Sequence, residues 1–150
     1  MVKLLGSVMV MAAALALGLS GRRALADKVA RLEKLKWEVG RLRARIGGCG
    51  LSLEDCFAES ELFRPAAKLL REGATPSEAV QGCGIEAEGL ALFSAGLGAE
   101  TVEGQLENIN LFMDSLENSA AAARDELSKK GRLYLGLGVL GGAAICLILI

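Results

Sequence analysis

The sequence predicts an all-α protein, a helical bundle on a long antiparallel helix pair flanked by two transmembrane helices. Three observations predict it. Uncharged apolar runs occupy both ends of the 150-residue chain, and two apolar seams of helical period adjoin them. Only two prolines interrupt a composition rich in Ala, Leu and Glu, which favours helix over sheet.

The first element is the run from Leu4 to Ser20, 17 residues without a charge. As a helix it spans about 26 Å, close to a thin hydrocarbon core of about 27 Å. It predicts an N-terminal transmembrane helix over residues 1–20, with Ala14 and Gly18 four apart on one small-residue surface. Beyond it, Leu25, Val29, Leu32, Leu35, Val39, Leu42 and Ile46 recur at spacings of three and four, an apolar seam on one helix face. This long helix, residues 22–46, is expected to end where Gly47, Gly48 and Gly50 crowd together.

Residues 51–98 read as a tip of short helices. Ser52 with Asp55 and Thr75 with Glu78 fit capping boxes, and Pro76 stands at the favoured first helical position. Gly73, Gly82, Gly84 and Gly98 mark the breaks. A second long helix, residues 101–132, takes Thr101 as its cap. Its Val102, Leu106, Ile109, Met113, Leu116, Ala120, Ala123 and Leu127 form a seven-residue, coiled-coil-like repeat. Gly131 is the next breaker.

The 18 uncharged residues from Leu133 to Ile150 then predict a C-terminal transmembrane helix over 133–150. Gly138 and Gly142 are four apart within it, with Gly136 nearby, so two helices can approach closely there. The two runs pack on each other or on another membrane protein. The two seams end at one membrane face, and pairing with each other is the direct way to bury both.

Charge orients the chain. Between Gly21 and Arg45 nine basic residues face three acidic ones, and Lys129, Lys130 and Arg132 stand at the mouth of the second run. Basic flanks resist translocation, which places residues 21–132 in the cytoplasm as one helical domain and both termini outside. The competing reading is a cleaved signal peptide ending at Ala24-Leu25-Ala26. It leaves an extracytoplasmic helical binding module anchored at its C-terminus, and Arg22 and Arg23 before the cleavage site oppose it. From Leu51 to Ser128, 15 acidic residues meet only four basic ones, a net −11. That is either a solvated surface or a docking face for a basic partner, with Glu86, Glu88 and Glu100 as its candidates.

The absence of histidine removes His-based triads and zinc sites, and no Walker loop, dinucleotide fingerprint or nucleophile elbow is present. No catalytic, cofactor-binding or metal-ligating residue is expected. Neither a nucleic acid nor a small-molecule substrate is expected as a partner. Cys49, Cys56, Cys83 and Cys146 form no C-x-x-C pair and read as incidental thiols, with redox sensing through the first three as the alternative.

Gly96-Leu-Gly98, Gln105, Ala121–Glu126, Lys129-Lys130, Leu133-Tyr134 and Leu137–Gly141 together resemble the stage III sporulation protein AB family. Lys3-Leu-Leu-Gly6 before the first run is similar as well. The stretch from Arg43 to Leu53 departs from that family's acidic segment and Thr-Pro-Leu turn. The resemblance implies a non-enzymatic scaffold of the channel complex linking mother cell and forespore, held in the mother-cell membrane. It implies a cytoplasmic domain like that of the platform proteins of type II secretion and type IV pilus machines. Its expected partners are a secretion-type ATPase and other subunits of the sporulation channel. Gly96, Leu97, Gly98 and Gln105 are then the structural break and the start of the second long helix.

Overall fold

The computed structural model describes the backbone of residues 2–49, 51–98 and 101–149, and the side chains of all of these but 2–8, 10, 49, 135, 146, 148 and 149. Among the described residues all regular structure is helical. The order is α1 (Val2–Cys49), α2 (Leu53–Ala58), α3 (Arg64–Arg71), α4 (Pro76–Gln81), α5 (Leu90–Gly96) and α6 (Val102–Leu149). The chain divides into two units, Arg31–Ala120, and Met1–Ala30 together with Ala121–Ile150.

The unit Arg31–Ala120 holds the core. Leu35, Val39, Leu42 and Ile46 of α1 are buried, as the seam predicts, and meet Ile109, Phe112 and Leu116 of α6. The two helices run antiparallel, with Lys36 paired to Glu117 and Gly47 facing Leu106. Between them α2 packs on α3, α3 on α4, and α4 on α5. These short helices are marginal by themselves, and caps together with burial hold them. The Ser52 hydroxyl accepts the Asp55 amide. Thr75 and Glu78 exchange both bonds of a capping box, with Pro76 in the first turn. Phe57 stacks on Phe63 at 5.3 Å, and Phe93 on Phe112 at 4.4 Å, so four of the few aromatic rings lock the tip to itself and to α6.

Three local expectations give way to packing. α1 continues through Gly47, opposite Leu106, and the exposed Gly48 to Cys49, although each glycine carries a helical cost of ~1 kcal/mol. α6 likewise passes Gly131 unbroken, with Arg22 and Leu127 against it. Val102, the first seam position of α6, is exposed, while Phe112, off the seam, is buried. The tip reaches α6 on a flank that a period of seven does not count.

In the other unit the segments of α1 and α6 run antiparallel. Lys28 lies 3.6 Å from Glu126, and Gly21 faces the Tyr134 ring. Lys130 also bonds Glu126 and lowers its carboxyl below the ordinary range, Lys28 adding to the effect. Among the described residues no helix is long and apolar enough to cross a membrane. The two expected spans therefore rest on the sequence runs alone.

Candidate interaction surfaces

The break before α6 is built from two glycine-dependent contacts and one buried cap. At Gly96 a Cβ would lie 2.5 Å from the Asn108 side chain, which donates from Nδ2 to the Phe93 carbonyl at 2.8 Å. Leu97 is the C-cap of α5, buried, with its amide also on the Phe93 carbonyl. Gly98 has φ +87°, a left-handed turn that other residues rarely adopt, and sits against Pro76. Thr101 then caps α6 by accepting the Gly104 amide, and the Gln105 amide bonds the Thr101 carbonyl. Gly96, Leu97, Gly98 and Gln105 thus fall within one turn-and-cap segment, with Asn108 as the partner that the sequence left unnamed.

The acidic candidates divide. Glu86 and Glu88 are exposed on the segment between α4 and α5, where the Ser115 hydroxyl donates to the Glu88 carbonyl. Glu100 lies outside the described residues. Elsewhere three of the 15 acidic residues from Leu51 to Ser128 pair with the basic face of α1 within the same unit. Glu61 binds Lys34 at 2.7 Å, Glu59 binds Arg45 at 2.5 Å, and Glu117 binds Lys36. The hydrogen bond from Lys34, then its charge, holds the Glu61 carboxyl below the ordinary range, and the same pair raises Lys34.

The small-residue surfaces of the two apolar runs do meet. A Cβ on Gly138 would lie 3.0 Å from the Ala14 carbonyl oxygen and 3.8 Å from the Gly18 Cα. Gly142 is buried against Met11 and Ala14. A Cβ on Gly136 would meet nothing within 4 Å, so Gly136 stands apart from this contact. Close backbone approach of this kind is what small residues four apart allow.

Two features were not anticipated. Glu38 is 1% exposed inside the core; the Ser60 hydroxyl donates to its Oε2 at 2.6 Å and accepts the Phe63 amide, while Oε1 has no partner. Position 38 adjoins the seam at Val39 and follows Leu35 by three, so a wider apolar arc would have flagged it. Trp37 is 59% exposed with the Arg41 guanidinium 4.7 Å over its ring. A lone tryptophan off the seam was the available signal.

Among the described residues no three His, Cys, Asp or Glu side chains cluster as metal ligands. Cys56 is buried, and burial pushes the half-buried Cys83 thiol up, the opposite of an activated thiolate. The side chains of Cys49 and Cys146 lie outside the described residues. The model of the stage III sporulation protein AB family matches residues 3–150 of the chain. Comparison with curated proteins and with solved structures gives no match.

Proposed function

The chain belongs to the stage III sporulation protein AB family, and from that premise we propose that it is a non-enzymatic membrane scaffold of a sporulation channel. Its two apolar runs hold it in the mother-cell membrane, and its helical body faces the cytoplasm, where it meets a secretion-type ATPase and neighbouring subunits. One observation carries the reading. Each of the two 48-residue helices joins an uncharged run to the core of the helical body. Runs of 17 and 18 uncharged residues approach the thickness of a thin bilayer, and the basic excess beside them favours the cytoplasmic side. Leu17, Leu137, Leu140 and Leu147 project into the surroundings, as lipid-facing side chains do.

The test combines topology and capture. A Glu86→Cys variant in intact sporulating cells is expected to resist a membrane-impermeant thiol reagent until permeabilisation, and the chain to resist alkaline extraction from membranes. Prompt labelling would place the body outside and favour the cleaved signal peptide. Charge reversal by Glu86→Lys with Glu88→Lys is expected to reduce co-purification of the secretion-type ATPase. Undiminished capture would remove that face from the interaction.

A further inference from the structure

The unit Arg31–Ala120 carries two exposed apolar features that neither its core nor the ATPase-facing proposal uses. Trp37, Gly40, Ala44 and Met113 line a groove of about 460 Å³ on the outer side of α1 and α6. Gly40 lies opposite Met113, whose Cε is 3.8 Å from where a Cβ would stand. Arg41 lies over the Trp37 ring, and Glu33 and Lys36 also line the groove, Lys36 being paired to Glu117. The second feature is Leu111, 65% exposed on α6. Glu107 lies four residues before it and Asp114 three after, both exposed, so the three side chains share one helix face. One surface is apolar with the Arg41 guanidinium at its edge, and the other is apolar with an acidic rim.

We propose that the Trp37 groove of one copy receives the Leu111 face of a second copy. The register of the unit supports the fit. Within one copy, Lys36 stands beside Glu117, Gly40 beside Met113 and Gly47 beside Leu106. Along that same register Leu111 is level with Leu42, Asp114 with Val39 and Glu107 with Ile46. Two copies standing side by side in one orientation therefore bring Leu111 to the height of Arg41 and Ala44. Asp114 arrives near Trp37 and Arg41, and Glu107 arrives near Arg43. Opposite charges then surround an apolar centre, which fixes register as well as partner. The two surfaces differ, so the contact is head-to-tail and builds rings or rows rather than a closed pair. The shared orientation rests on the membrane anchoring proposed above.

The experiment uses the full chain in its own membrane, carrying Ala44→Cys together with Leu111→Cys, oxidised with copper phenanthroline. The expected result is a ladder of dimers, trimers and higher species, which neither single variant nor the parent chain with its native cysteines produces. Adding Arg41→Glu is expected to abolish the ladder, and adding Asp114→Arg to that chain to restore it. Absence of a ladder from a membrane-bound chain would overturn the contact. So would cross-linking of Trp37→Cys chains to one another without a ladder from the pair, since that is a face-to-face dimer, and so would cross-links solely to a different protein. Alkaline extraction scores the anchor separately: a chain that is extracted yet still forms the ladder refutes the anchoring and retains the contact.

Discussion

Ser60→Ala is the most informative perturbation of the core. The hydroxyl gives a 2.6 Å bond to Glu38 Oε2 and accepts the Phe63 amide at 3.3 Å. Removing it deletes one buried hydrogen bond of about 1–2 kcal/mol and leaves a carboxyl group, 1% exposed and already lacking a partner on Oε1, with neither oxygen bonded. The unmet desolvation of that group adds about 1–3 kcal/mol. The expected loss is about 3 kcal/mol, a large fraction of a domain stability of about 5–15 kcal/mol. Glu38→Leu alone removes the polar atoms instead and is expected to cost little, because an apolar side chain of similar volume suits the site. The double variant should then be more stable than Ser60→Ala, with a coupling of about 2 kcal/mol. Urea unfolding is followed through the emission of Trp37, the single tryptophan, which lies in this unit. A Ser60→Ala midpoint within about 0.5 kcal/mol of the parent, at unchanged slope, would refute the reasoning.

Three further outcomes follow from the same geometry. Gly96→Val forces a side chain into the space of Asn108 and breaks its bond to the Phe93 carbonyl, an expected loss of about 2–4 kcal/mol read by the same titration. Gly138→Leu drives the apolar helices apart at the Ala14 carbonyl, so the disulfide yield of a Gly21→Cys, Tyr134→Cys pair should fall sharply against the same pair with Gly138 intact. The third concerns pH. Lys34 lowers Glu61, and the Thr75 backbone and hydroxyl lower Glu78, both below an ordinary value of 4.5. A carboxyl lowered by folding contributes stability above its unfolded value and loses it as pH falls through the folded one. Thermal melting of this unit should hold steady down to about pH 5 and decline below the ordinary carboxylate range of about 4. Glu78→Gln should flatten that decline.

The long helices and their seams were legible in the sequence because a period of 3.6 repeats over many turns, and Leu35, Val39, Leu42, Ile109 and Leu116 are buried where that period puts them. The break at Gly96–Gly98 was legible for a different reason: Gly98 adopts a left-handed backbone that favours glycine. The acidic candidates were legible only in part. Glu86 and Glu88 are exposed, but composition could not tell that Glu59, Glu61 and Glu117 spend their charge on α1.

By itself, then, the sequence determined helix, seam, cap and the segregation of charge along the chain, all of which are properties of neighbours a few residues apart. The tertiary structure alone decided which charges cancel, that Glu38 is enclosed with Ser60, that Phe112 leaves the repeat to stack on Phe93, and that Trp37 stays outside beside Met113. The physical reason is that each of these is set by contacts between residues 14 to 81 apart in the chain. A periodic pattern records how much of a helix face is covered, not which neighbour covers it.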